Sequence, residues 1–261
     1  MQKMFICLLV LALPHFGQAM YKSFQNVTDT VNTELLRKKA DSLADAKEID
    51  RSNEYYNQLI AIYKNEGEND QLLTVINKIS LNYLRVGYHV AANDIFLRNY
   101  YQSIAIKDSL ILSDSYYYFA VSRHFAGDFK EGLAYANKAL AIKLNLIDRV
   151  DKYELSLNYN LIGVSYNQLG LNDEAIGCYQ KYLAIIKDLP ESDKVNLLIA
   201  TAYNNLGIIY TEHLADHDRA LEYYFKAVEI KKEVLGDGKP ILAESYTNIG
   251  NVLMLTKPNE A

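Results

Sequence analysis

Two histidines four residues apart, His213 and His217, are the nearest this sequence comes to a metal-binding pair. Histidines at that spacing bind well only on one continuous helix, where both rings share a face. Here they straddle a turn between two helical patterns and no third ligand stands beside them, so a solvated turn is expected. Cys178 falls inside a helical pattern, the place of a small buried hydrophobe. The other cysteine, Cys7, lies in the N-terminal segment, so the rest of the chain holds a single thiol. An internal disulfide and a cysteine-built metal site are thereby excluded. A glycine-rich phosphate loop, a Gly-x-Ser-x-Gly elbow and a His-Glu-x-x-His helix are all absent. The carboxylates are scattered over helix surfaces, with nothing pairing them for acid–base work. No catalytic residue, metal or cofactor is expected, and an enzyme with an unrecognised site is the remote alternative.

Charge narrows the partners. The net charge is −5, and no basic cluster is longer than Arg37-Lys38-Lys39, so a phosphate-neutralising stripe is missing and no nucleic acid is expected. Residues 1–19 have the three-part layout of a secretory signal: Lys3, an apolar run over 4–13, then Pro14 and small residues before a cleavage point near Ala19. That run is too short to cross a bilayer, for which about 20 residues are needed. The expected organisation is a signal peptide at 1–19, a linker at 20–32, a repeat region at 33–255 and the start of an unfinished repeat at 256–261. The expected location is exported, periplasmic or secreted, with no membrane span in the mature chain. Asn26-Val27-Thr28 is a glycosylation sequon, meaningful only where the host glycosylates secreted chains.

Composition and periodicity say what positions these residues. The 261 residues include only 4 Pro and 12 Gly, which favours helices over many short strands. Tyr reaches 22 while Trp is absent, an imbalance that repetition would explain. Tyr159-Asn160-Leu161-Ile162-Gly163 aligns with Tyr203-Asn204-Asn205-Leu206-Gly207 and with Tyr246-Thr247-Asn248-Ile249-Gly250. Weaker copies lie upstream. Small residues at Ala40, Ser80, Ala120, Gly163, Gly207 and Gly250 are spaced 40, 40, 43, 44 and 43 apart. Two helical patterns per period indicate a solenoid. Gly163, Gly207 and Gly250 would let the second helix approach the first. Ala175 and Ala220 would let it meet the next, and Tyr166, Tyr210, Tyr179 and Tyr224 would fill the wedge with their polar tips at the surface. Asp128 with Glu131 has capping-box spacing, and Asn172-Asp173-Glu174 is expected to cap a second helix.

This pattern of an aromatic, Leu/Ile-Gly and Tyr, then Ala…Tyr…Ala, resembles the tetratricopeptide repeat family. The unit is longer than the usual ~34 residues. The 226–236 stretch before Pro240 looks like the long-helix variety of kinesin light chains and many bacterial signalling proteins. The resemblance implies an all-α, right-handed superhelical solenoid of antiparallel helix pairs, about five and a half repeats long. It also implies a concave groove made by the first helices, binding a protein or an extended peptide. Groove positions carried over from the family are Asn77, Tyr117, Asn160, Asn204 and Asn205, then Leu81, Val121, Val164 and Ile208, and one turn later His124, Asn167 and Thr211. An Asn amide both donates and accepts, so a row of them can pair with a peptide backbone; the plain alternative is a solvated face. The basic set that clamps a carboxylate terminus in some relatives is missing.

The last helical pattern ends Val252-Leu253-Met254-Leu255, apolar all round, so it calls for cover and suggests self-association. Asn259-Glu260-Ala261 would open another second helix, which makes a longer parent protein the expectation. The layout also resembles the extracytoplasmic sensory half of bacterial membrane-spanning histidine kinases and transcription regulators. A sensory receptor lacking its output domain is therefore the alternative to a non-enzymatic binding scaffold.

Overall fold

The computed structural model describes residues 32–237 and 240–256. The expected signal segment, nearly all of the linker, the sequon and the last residues of the expected unfinished repeat lie outside the described residues. All regular structure among the described residues is helical. The eleven α-helices are α1 (Thr33–Asp45), α2 (Ile49–Glu66), α3 (Asn69–Arg85), α4 (His89–Ile106), α5 (Ser109–Phe125), α6 (Phe129–Asn145), α7 (Lys152–Gln168), α8 (Asn172–Lys187), α9 (Asp193–Glu212), α10 (His217–Leu235) and α11 (Pro240–Thr256). A 3₁₀ turn, Ile147–Arg149, precedes α7. Odd-numbered helices are the first of each pair and even-numbered ones the second.

One turn design joins first helix to second throughout. A residue in the left-handed region sits two places before each second helix: Lys47, Gly87, Gly127, Gly170 and Ala215. The next residue's amide then donates back to the first helix, as Leu171 does to the Tyr166 carbonyl at 2.9 Å and Asp128 to that of Arg123 at 2.9 Å. This closure satisfies carbonyls that the helix end would leave bare. It also fixes the cap at the following residue. Asp128 and Asp216 use that place, each accepting an amide three residues on at 3.2 Å. In α8 the place belongs to Leu171, which has no side-chain oxygen. Asn172, expected as the cap, is one residue too late: it is the first helical residue and its buried Oδ1 has no partner.

The chain divides into two compact units, up to Asn82 and from Tyr83 onward. In the first, Ala40 is fully buried against α2, whose Tyr56 and Leu59 are buried too. Tyr56 donates to the Asp41 carboxylate, and Lys78 of α3 pairs with the same group. Arg37 reaches both Tyr63, at 2.9 Å, and Gln71. Asn82 donates to Ser52 and Asn53, while Ser52 donates to the Ala40 carbonyl.

In the second unit successive helices pack antiparallel. Lys152 at the start of α7 pairs with Asp188 just past the end of α8. Thr211 near the end of α9 meets Tyr224 early in α10, and Lys231 late in α10 donates to Ser245 early in α11. Two of the unit's apolar clusters lie wholly among the described residues. One joins Leu155, Tyr159, Tyr179, Tyr182, Ile186, Leu206 and Ile209 across α7, α8 and α9. The other joins Tyr210, Ala220, Tyr224, Val228, Ile249 and Val252 across α9, α10 and α11. Upstream, Phe119 of α5 meets Tyr135 of α6 edge-on at 4.7 Å, a favoured aromatic geometry.

Candidate interaction site on the first helices

The tyrosine packing decides which polar side chains are free. A Cβ at Gly163 would lie 3.1 Å from the Tyr179 ring, and one at Gly207 only 2.6 Å from Tyr224. The close approach buries the hydroxyls of Tyr179 and Tyr224, whose tips were expected at the surface. Burial pushes the phenols of Tyr179 and Tyr224 up, opposed in each case by a hydrogen bond, from Asn205 and from Thr211 respectively. Ala175 and Ala220 are fully buried, and Tyr210 is nearly so. Tyr166 is half-buried against the α7–α9 cluster. At Gly250 the same position faces open space among the described residues.

The carried-over groove residues separate into three groups. The first is engaged within the fold. Asn205 and Thr211 are turned onto Tyr179 and Tyr224, with Thr211 also donating to the Gly207 carbonyl at 2.9 Å. Asn204 is buried, and its Oδ1 accepts from Asn248 of α11 at 3.2 Å. Asn77, in the first unit, is buried and has partners of its own, while Leu81 is half-buried. Val121 is buried, and Val164 and Ile208 pack against the two clusters.

The second group is an ion cluster around Tyr117. Lys143 of α6 is buried, 3.1 Å from Asp114 and 3.9 Å from Glu154, with its ammonium 5.5 Å from the Tyr117 ring centre. Burial pushes the Tyr117 phenol up, and neighbouring Tyr153, Tyr182, Asp114 and Glu154 add to it. An ammonium taken out of water is tolerated only when so compensated.

The third group has unanswered atoms. His124 Nδ1, Asn160 Oδ1 and Asn167 Oδ1 are buried without a hydrogen-bond partner. They sit on the successive first helices α5 and α7. The His124 ring lies 5.0 Å from Phe129, and burial lowers its basicity. A buried polar atom without a partner costs about 1–3 kcal/mol, which an incoming donor or acceptor recovers.

Sequence reasoning missed a recurring lysine. Lys138, Lys181 and Lys226 of the second helices lie 5.5, 5.5 and 5.8 Å from the rings of Tyr116, Tyr159 and Tyr203. Each of these tyrosines holds the leading aromatic place of its repeat. The signal was present: each lysine stands just before the residue that ends the Ala…Tyr…Ala pattern, at 139, 182 and 227. Such contacts contribute about 0.5–1 kcal/mol each where exposed.

Among the described residues no three His, Cys, Asp or Glu side chains are grouped to hold a metal ion. His213 closes α9 and His217 opens α10. The Cys178 thiol is half-buried, and burial pushes it up. No helix among the described residues is long and apolar enough to cross a membrane.

Comparison with known proteins bears on the repeats. Residues 158–188 and 198–261 each match a tetratricopeptide repeat family. A curated relative, the clustered mitochondria protein homolog of Debaryomyces hansenii, is 28% identical over 151 residues, which is 57% of this chain. The match spans 11% of that relative's length. Among solved structures, BtubC (BKLC) from P. vanneervenii superposes with a TM-score of 0.62 at 22% identity, covering 87% of this chain and 85% of that one. TPR-like repeats of kinesin-light-chain type from P. anserina give 0.58 at 14%, covering 72% and 88%. The apo quorum sensor NprR from B. thuringiensis gives 0.63 at 16%, covering 93% and 65%. At these identities the structures show the fold alone. The fold is an all-α repeat architecture of the tetratricopeptide kind, generally a non-enzymatic scaffold for protein–protein interaction.

Proposed function

We propose that this chain, whose residues 158–188 and 198–261 are tetratricopeptide repeats, binds an extended segment of a partner protein along the first helices of its second unit. The observation that carries this reading is the set of unanswered atoms at His124, Asn160 and Asn167. Both Asn side chains are half-buried, and turned outward their carbonyls would take the amide donors of a peptide backbone, independent of its side chains. Asn205 and Thr211 are outside the contact set because Tyr179 and Tyr224 already use them. Peptides selected from a random display library should bind Asn160→Ala/Asn167→Ala at least about tenfold more weakly than wild type. They should bind Thr247→Ala, an exposed neighbour on α11, equally. Equal binding to all three proteins refutes the site.

Export is part of the proposal and rests on the 1–19 layout. Expressed in a bacterium, the mature protein should fractionate with the periplasm and begin at Met20; a full-length cytoplasmic chain overturns it. Self-association rests on α11, where Met254 and Leu255 stand exposed. A chain that stays monomeric at high concentration in sedimentation, and behaves as Met254→Ser/Leu255→Ser does, removes that part. The sensory-receptor reading rests on the layout of a secretory signal followed by long-helix repeats. Peptide binding that leaves the solution scattering profile unchanged counts against it.

A further inference from the structure

Turns in a soluble domain are ordinarily polar. Those joining first to second helices in the second unit are not. Val86 and Tyr88 precede α4, Phe125 ends α5, Leu169 and Leu171 flank Gly170, and Leu214 follows α9; these six are between 39% and 61% exposed. Because the helices alternate in direction, every such turn emerges on the same edge of the unit. The edge is continuous at one end: the His89 ring, beside Tyr88, stacks on Phe125 with centroids 6.3 Å apart. Scattered exposed apolar residues need no explanation, but a row of them at matched positions in successive repeats marks a contact surface.

Along the last two turns of this row the charge is one-sided. Around the last two turns stand Asp173, Glu174, Glu212 and Asp218, all exposed and none in an ion pair. The basic residue there, Arg219, is already held by Asp216 at 3.2 Å and by the Tyr210 ring. Unanswered polar atoms occur at the same places: Asn172 Oδ1 at the start of α8 and His217 Nδ1 at the start of α10.

We propose that this turn edge is a second interaction surface, separate from the first-helix face, and that it takes a basic amphipathic segment of a partner protein. The apolar side chains of the segment would cover Leu169, Leu171 and Leu214, and its lysines or arginines would meet the unpaired carboxylates. An acidic segment would be repelled, and a second copy of this chain carries the same acidic edge and repels itself. This surface does not depend on the peptide reading of the first helices, and the two fail separately.

The test uses the mature chain and two synthetic helices of one amphipathic pattern, built of leucine with lysine or leucine with glutamate. The Leu/Lys helix should bind, more weakly as salt rises, and the Leu/Glu helix should not. Leu171→Ser/Leu214→Ser should weaken Leu/Lys binding at least about tenfold; both positions are exposed, and Ser at 171 supplies the missing cap, so the fold survives. Glu174→Gln/Asp218→Asn should weaken it less and flatten its salt dependence. Asn160→Ala/Asn167→Ala should leave it unchanged. The proposal is overturned if the Leu/Lys helix fails to bind, if the Leu/Glu helix binds as well, or if the leucine variant binds unchanged. It is also overturned if wild type dimerises and the leucine variant alone is monomeric, which assigns the edge to a second copy.

Discussion

The first unit ties its helices with charged and polar side chains, whereas the second lays tyrosine rings against glycine. The two begin from the same arrangement. Tyr56 follows Ala40 by 16 residues, and Tyr179 follows Gly163 by 16. Both rings are buried. In the second unit the missing Cβ at Gly163 and Gly207 admits the ring, and a neutral Asn or Thr donates to the hydroxyl oxygen. In the first unit the small residue is Ala40, the hydroxyl goes to Asp41, and Lys78 of the next helix locks onto the same carboxylate. A glycine can thus be given up where a charge network holds the pair. The α5–α6 pair shows a third arrangement. Ala120 faces the second-helix Gly132, where an added Cβ would lie 3.2 Å from the Ala120 carbonyl oxygen. The repeat conserves a close approach, and the residue that permits it changes sides.

The sharpest way to break this comparison is Gly207→Ala. Its Cβ would fall 2.6 Å from a ring that is itself buried, so overpacking of about 1–3 kcal/mol should outweigh the helix propensity gained. Gly163→Ala, with 3.1 Å available, should lose less, and Gly250→Ala should gain about 0.5–1 kcal/mol. Thermal midpoints in the order Gly250→Ala, wild type, Gly163→Ala, Gly207→Ala would support the ring-on-glycine account; any other order would undo it. Next in size, Tyr56→Phe should cost about 1–2 kcal/mol because it strips a hydrogen bond from a carboxylate, and Tyr179→Phe about 0.5–1.5. Equal losses by chemical denaturation would erase the distinction between the units. Leu171→Asp, which supplies the cap that α8 lacks, should raise stability by about 1 kcal/mol. The smallest effect is on pH. Burial lowers the His124 pKa from 6.5, so the unfolded chain takes up the proton first. Stability should therefore hold above that value and decline as pH falls through it and below. His124→Gln should remove that component of the decline in melting scans across this range.

Much of this was legible in the sequence. The spacing of Ala40, Ser80, Ala120, Gly163, Gly207 and Gly250 marks the first helices because a close approach admits few residue types. The orientation of polar side chains was less accessible. Asn204 and Asn205 are adjacent, about 100° apart around the helix, and spacing alone does not say which faces Tyr179 and which faces Asn248. The cap falls at Leu171 and not at Asn172, which has the better capping chemistry, because the turn at Gly170 sets the start of α8. The lysines over Tyr116, Tyr159 and Tyr203 were hidden because a lone Lys on a helix ordinarily reads as solvated surface. The apolar turns are inconspicuous in the sequence because each breaks the pattern by only one or two residues, and the row emerges only when the helices alternate.

The buried hydroxyls have a spectroscopic consequence. With no tryptophan and 22 tyrosines, near-ultraviolet absorption and emission of this protein are dominated by phenols. Tyr117, Tyr179 and Tyr182 are held from ionising by burial. Alkaline titration of the folded chain should therefore leave these three phenols neutral until the repeats come apart. The protein carries its own label-free optical gauge of repeat unfolding, read at the wavelength of phenolate.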